Sequence, residues 1–256
     1  MMPSFQQKLQ QLNRPASNFF LTIPSAWTAE LISNSDIDAL TIDMQHGLID
    51  YATLIPMLQA MAGSEVLPMV RLQWNEPSLI MKVLDAGVPN LICPMINNRA
   101  EAEAFVQSCY FPPKGIRSYG PVRARLFTSD YFQQAEHIVT PFAMIETADA
   151  VKNLEAIAET PGLKGLYVGP NDLTISLQRP TRADFEDPVL LQVLEQVVAV
   201  CHKNKLIPGI YASTLPRIKI AKTLGFQFIS YGDDTSMYRE AIQQRTHALK
   251  EALKEQ

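Results

Sequence analysis

Cysteine is scarce. Cys93, Cys109 and Cys201 are odd in number and far apart, so neither a disulfide framework nor a zinc spacing follows from them. They read as small buried hydrophobes of a reducing compartment, the cytoplasm. Long apolar runs are missing too. No stretch reaches the roughly 18 consecutive apolar residues of a membrane span, and the opening MMPSFQQKLQQLNRP lacks the apolar centre of a signal peptide. Charge of one sign is not concentrated: 22 Lys plus Arg stand against 26 Asp plus Glu, a net charge of −4. That balance gives no electrostatic footprint for nucleic acid or a membrane surface. No lysine stands at the C-terminal end of a predicted strand, where a Schiff-base aldolase needs one. The turn after the first strand, Ile23-Pro24-Ser25-Ala26, has no glycine, so it is not the phosphate turn of an open dinucleotide-binding sheet.

What is present is apolar and regularly spaced. Hydrophobic residues make up 47% and charged residues 19% of 256 residues, enough for a large core. Short apolar runs predict strands near 18–23, 39–43, 66–71, 90–95, 141–146, 164–169, 206–212 and 226–231. Helical patterns lie between them near 25–33, 50–62, 77–86, 98–109, 147–159, 187–204 and 214–223, with a last one over 236–254. Several of the strand runs are apolar on successive residues, as in a parallel sheet buried on both faces. Eight strand–helix units in this length predict one (β/α)8 TIM barrel domain over 1–256. A helix around 3–12 precedes the barrel and either plugs its bottom or caps an interface. One connection, from about Cys109 to Pro141, is long and carries FPPKGIRSYGPVRARLF and a helix around 129–137; loops of that length are usually functional.

Barrel enzymes carry their working groups at the C-terminal ends of the strands. Asp43 ends strand two with His46 three residues on, Arg71 ends strand three, and Glu146 ends strand five. Strand six runs into Gly169-Pro170-Asn171-Asp172 and strand eight into Tyr231-Gly232-Asp233-Asp234. Glu146 and Asp172, from neighbouring strands, suit one hard cation, Mg2+ or Mn2+, with positions left for water and substrate; capping of the following helices is the other reading. Asp43 is placed to orient the His46 imidazole. Arg71 either meets an anionic substrate oxygen or pairs with Asp43.

Four stretches, IDMQHGLID, MVRLQWNEPSLIMKVLDAGVPNLICPMINNRAEAEAFV, YFPPKGIRSYGPVRAR and IETADAVKNLEAIAETPGLKGLYVGPNDLTISL, together resemble the HpcH/HpaI aldolase/citrate lyase family, in its branch of class II 4-hydroxy-2-oxo-acid (pyruvate) aldolases. The resemblance covers about residues 18–235. It implies reversible cleavage of a 4-hydroxy-2-oxo acid to pyruvate and an aldehyde, with Glu146 and Asp172 holding Mg2+, Mn2+ or Co2+. The pyruvate carboxylate is then received by backbone N–H groups around Gly169, Asn171 and Asp172. Arg71 neutralises the enolate oxygen, and His46 with Asp43 moves the proton of the aldehyde hydroxyl. Asp85 matches a position that reaches the site of a neighbouring subunit, and Arg123 matches a substrate-loop arginine. The resemblance also implies a homo-oligomer, a trimer or hexamer, whose last helix is exchanged between subunits.

The chain departs from the family pattern at Gln45, where an acid is usual, at Met144, where Gln is frequent, and at Arg125, which is extra. Two arginines in one loop, placed over the mouth, predict an acceptor aldehyde with its own carboxylate. The competing readings are a 2-oxo acid decarboxylase or an acyl-CoA lyase on the same enolate-stabilising site, and a barrel that has lost catalysis.

Overall fold

A computed structural model describes residues 4–179 and 183–254. Eight parallel strands, β1 (Ala16–Leu21), β2 (Ala39–Asp43), β3 (Leu67–Arg71), β4 (Asn90–Cys93), β5 (Thr140–Ile145), β6 (Gly165–Val168), β7 (Ile207–Tyr211) and β8 (Phe228–Asp233), pair in sequence order. β8 returns to β1, which closes the barrel. The expected strands are all there, with ends shifted by a few residues. β2, β4, β5 and β6 are buried along their whole length. Hence their apolar runs are continuous instead of alternating.

Helices cover the outside: α2 (Ala26–Ser33), α3 (Tyr51–Met61), α4 (Pro77–Asp85), α5 (Arg99–Cys109), α6 (Tyr131–Ile138), α7 (Ala148–Lys152), α8 (Leu154–Ala158), α9 (Pro170–Ser176), α10 (Pro188–Asn204), α11 (Leu215–Leu224) and α12 (Asp234–Ala252). Most start on a side-chain cap that the sequence supplies, such as Ser25, Asp50, Asn98, Thr147 and Thr214, each satisfying a donor that the first turn leaves open. α9 is an element missing from the sequence reading, although Pro170 at its first position is a helix-start signal. None of the helices among the described residues is long and apolar enough to cross a membrane.

Two cores result. The larger lies between strands and helices. The smaller fills the barrel and contains Phe5, Phe20, Met69, Ile92, Phe142, Met144, Tyr167 and Phe228. Gly165 makes room there, since a Cβ on it would stand 2.3 Å from the Phe142 ring. Phe5 comes from α1 (Phe5–Gln11), and its ring meets Phe142 and Phe228 edge-on at 5.6 and 4.9 Å. The helix expected around 3–12 thus stoppers the bottom of the barrel, though residue 3 lies outside the described residues. Residues 1, 2, 255 and 256 of the expected domain lie outside them as well.

α12 extends away from the barrel. It touches mainly β1 and β8, and Ile242 and Leu249 on it and Leu253 just after it are exposed. Between α2 and α11 the outer face of β8 and β1 is left as a groove of about 460 Å³ lined by Phe19, Ile37, Ile218, Ile229 and Tyr231.

Candidate active site

At the C-terminal ends of the strands a cavity of about 540 Å³ opens, lined by Asp43, His46, Arg71, Met144, Gly169, Asn171, Asp172 and Asp233 among others. The structure thus brings many of the residues expected at strand ends together at one mouth. Glu146 follows β5 directly and is 2% exposed; it is not itself among the residues lining the cavity but lies just beneath Gly169, which is. Glu146 Oε1 accepts the Met95 N–H at 2.7 Å. Met95 holds a left-handed φ of 56°, a sparsely populated conformation for a residue with a Cβ, and that turn aims its N–H at the carboxylate. Burial pushes the Glu146 carboxyl up to about 7. The Met95 bond and Arg71 counteract this, while the charge of Asp172, from the first turn of α9, adds to it. Gly169 keeps the approach to Glu146 clear. A Cβ there would lie 2.8 Å from Glu146 Oε2 and 2.5 Å from Met144 Cε.

Arg71 and Asp43 form a fork. Arg71 Nε donates to Asp43 Oδ1 at 2.9 Å and Nη2 to Oδ2 at 2.5 Å. Desolvation opposes the guanidinium charge, but the bonds and charge of Asp43 outweigh it and hold the Arg71 pKa above its ordinary value. The guanidinium also lies over the Phe20 ring, 5.0 Å from its centroid. Of the two partners foreseen for Arg71, the structure supplies Asp43.

This corrects the expected Asp43–His46 pair. Asp43 Oδ1 accepts the backbone N–H groups of Gln45 and His46, at 3.1 and 3.2 Å. Among the described bonds of Asp43, none reaches the His46 ring. An Asp followed by N–H groups two and three residues on closes a turn with them, so the D-x-x-H spacing marks the turn that delivers His46 to the mouth, where its side chain is exposed.

Asp85 and Arg123 do not enter the mouth of their own chain. Asp85 ends α4, far from the strand ends, and bonds at 2.7 Å to the fully buried Arg117, which also bonds Tyr131. Arg123 donates to the carbonyls of Ala86 and Leu58, at 2.7 and 3.1 Å. It shares a cleft with Lys8, Gln11 and the start of β3, on the stoppered side of the barrel. Arg125, on the short turn Ala124–Leu126, goes with it. The loop expected over the mouth is tied to the opposite end within this chain, because main-chain carbonyls there take the Arg123 guanidinium.

The sequence reading missed Phe20, Thr22, Tyr167, Tyr211 and Thr235, all of which line the mouth. Tyr167 is fully buried, and its hydroxyl bonds Ser230 at 2.7 Å. Tyr211 ends β7, so the same strand-end rule that found Arg71 would have found it.

A closed barrel whose mouth holds a buried glutamate, a second carboxylate, an Arg–Asp fork and a histidine is built to manage negative charge on a small substrate. The chain belongs to the HpcH/HpaI aldolase/citrate lyase family, whose profile matches residues 17–241. It is similar to the hydroxypyruvate/pyruvate aldolase of Rhizorhabdus wittichii, 37% identical over 234 residues that cover 90% of this chain and 92% of the relative. The 4-hydroxy-2-oxo-heptane-1,7-dioate aldolase of Escherichia coli is 32% identical over 244 residues, 94% of this chain and 92% of the relative. Among solved structures, a HpcH/HpaI aldolase/citrate lyase family protein from Burkholderia cenocepacia superimposes with a TM-score of 0.87 at 29% identity, covering 96% of this chain and 98% of that one. The chain is a carbon–carbon lyase of the aldolase type, and neither the decarboxylase nor the acyl-CoA alternative gains support.

Proposed function

We propose that this chain cleaves a 4-hydroxy-2-oxo acid reversibly to pyruvate and an aldehyde, with a divalent cation held by Glu146 and Asp172. The observation that carries the reading is Glu146: a carboxyl buried against the Gly169 edge of the mouth, without a cationic partner in contact among the described residues and near a second carboxylate. A carboxylate buried in that way is costly unless a cation joins it. Two oxygen donors suit Mg2+, Mn2+ or Co2+ and leave positions for water and substrate. Among the described residues no cluster of three or more His, Cys, Asp or Glu side chains is assembled for a metal, so substrate oxygens complete the set. When bound, the cation supplies Lewis acidity to the carbonyl and enolate oxygens.

The chain's own groups do the rest. Gly169 lets the 2-oxo acid approach, and the N–H groups of Asn171 and Asp172 receive its carboxylate. Arg71, locked by Asp43, presents its remaining nitrogen, Nη1, to the enolate oxygen. His46 takes the proton of the C4 hydroxyl as the C3–C4 bond breaks. The bond electrons pass into the pyruvate enolate, the hydroxyl carbon leaves as the aldehyde, and a proton returned to C3 completes pyruvate. Asp43 acts through Arg71 and through the turn that carries His46.

We assign the assembly to a homo-oligomer, a trimer or hexamer, in which α12 of one copy fills the groove between α2 and α11 of another. The exposed apolar residues of α12 and the apolar groove support this, and Asp85 and Arg123 then face a neighbour's mouth. The three free, buried thiols suit the reducing cytoplasm.

The test is pyruvate release from a panel of 4-hydroxy-2-oxo acids, in a coupled assay with EDTA or added Mn2+. Release that needs the cation and is lost in Glu146→Ala and Asp172→Ala is the expected result; activity indifferent to EDTA and to both substitutions overturns the assignment.

A further inference from the structure

A second cleft, of about 710 Å³, lies on the stoppered side of the barrel. Small-molecule sites hold roughly 300–1,000 Å³. The cleft runs between α1, the C-terminal ends of α10 and α11, and the turns that start β7 and β8. It occupies the flank of α1 that carries Gln6, Leu9 and Gln10, whereas Arg123 lies with Lys8 and Gln11 on the other flank. Leu9, Leu12, Leu206, Ile207 and Phe226 give it an apolar floor. The rim is basic. Arg14, His202, Lys205 and Lys222 line it, and no aspartate or glutamate does.

Arg14 is engaged by Asp38, and Lys203 turns away to Glu155. Lys205 and Lys222 enter none of the ion pairs among the described residues. His202 sits over the end of α11, since a Cβ on Gly225 would stand 3.7 Å from His202 Cε1. Basic side chains often serve helix C-termini, where carbonyls lack partners. Here the backbone answers those carbonyls. The N–H groups of Lys205 and Leu206 return to the His202 and Cys201 carbonyls, at 3.3 and 2.8 Å. Those of Gly225 and Phe226 return to Lys222 and Ala221, both at 3.1 Å. The same turn thus closes both helices, with different residues in its left-handed position. α11 uses Gly225, at φ 102°, and α10 uses Lys205, at φ 57°. A Cβ in that position costs stability that glycine avoids. What Lys205 contributes instead is an ammonium group at the cleft.

We propose that this cleft binds an organic phosphate. The phosphate takes the ammonium groups of Lys205 and Lys222 and an N–H of His202, and the organic body lies on Leu9, Leu12 and Phe226. Two ammonium groups match the nearly two charges of a phosphate monoester; a single carboxylate would leave one of them unanswered. The amides of Gln6, Gln10, Asn13 and Gln227 border the body and suit its polar edge. Lys222 also borders the groove assigned to α12, so binding is measured on the assembled protein. The inference is independent of the reaction at the mouth.

The probe is AMP, titrated calorimetrically into the Mg2+-loaded protein at saturating pyruvate, which keeps the mouth occupied. AMP is expected to bind at least about tenfold tighter than adenosine, which lacks the charge, and about tenfold tighter than inorganic phosphate, which lacks the body. Added salt should weaken AMP and leave adenosine unchanged. Lys222→Ala should lower the AMP affinity about tenfold. Lys205→Gly is the sharper variant. It should lower the AMP affinity about tenfold and raise the melting temperature of the AMP-free protein, because glycine accepts the left-handed turn. A fold defect then cannot explain the lost binding. The inference is overturned if AMP shows no binding at millimolar concentration, or if adenosine or inorganic phosphate binds as tightly as AMP. AMP affinity unmoved by both lysine variants, or AMP displaced by pyruvate in direct competition, overturns it equally.

Discussion

Replacing Glu146 by glutamine is expected to stabilise the cation-free protein above pH 7 and to have little effect at pH 5. The carboxyl is 2% exposed and held up to about 7, against an ordinary 4.5. An acid whose pKa is higher folded than unfolded binds its proton more tightly in the fold. Stability is then full below about pH 4.5, declines as the pH rises toward 7, and stays reduced above it. The gap between about 7 and 4.5, at roughly 1.4 kcal/mol per pH unit, is a penalty of about 3 kcal/mol. Glutamine keeps an oxygen for the Met95 N–H and has nothing to ionise. In EDTA at pH 8, urea unfolding followed by circular dichroism should find Glu146→Gln about 3 kcal/mol more stable, or roughly 6–12 °C higher in Tm. Mn2+ at about 1,000 times Kd should reverse the order, since it stabilises the original protein by roughly 4 kcal/mol and finds only one carboxylate in the variant. Parallel stability curves for the two proteins from pH 5 to 8 would refute the burial argument. Equal stabilisation of both by Mn2+ would remove Glu146 from the cation site.

Gly169→Ala should fold yet lose pyruvate binding by tenfold or more in calorimetric titration, because its Cβ enters the space held by Met144 Cε and Glu146 Oε2. Arg117→Met removes a fully buried guanidinium that bonds Asp85 and Tyr131 and lies over the rings of Phe111 and Tyr131; a loss of roughly 2–4 kcal/mol is expected in urea unfolding. The three thiols are buried, and burial pushes all of them up, Cys201 to about 12. Ellman's reagent should therefore react with none of them in the native protein at pH 8 and with all three in urea.

The barrel was legible because its information is local: continuous apolar runs for β2, β4, β5 and β6, caps at the helix starts, and polar residues at or just past the ends of β2, β3, β5, β6 and β8. Glu146, Asp172 and Arg71 followed from strand ends alone. Contacts to the main chain were not legible. The bonds of Arg123 to the carbonyls of Ala86 and Leu58 could not be foreseen, because every residue possesses such a carbonyl. Asp43 looked like an imidazole partner for the same reason, its bonds being to the N–H groups of Gln45 and His46. Tyr211 and Thr22 passed unnoticed because neither carries the charge by which the other mouth residues were picked out.

Phe5 closes one end of the barrel, which leaves a vessel with a single door. Glu146 lies at its floor, whereas Asp172, Thr235 and His46 are exposed at the rim. Two products made in such a vessel depart in the order of their depth. The aldehyde, formed beside the exposed His46, must clear the doorway before pyruvate can rise from the floor. In the synthetic direction pyruvate must enter first, and an aldehyde that arrives early blocks it. Turnover thus acquires a sequence from the stopper alone, and excess aldehyde should compete with pyruvate for the empty protein.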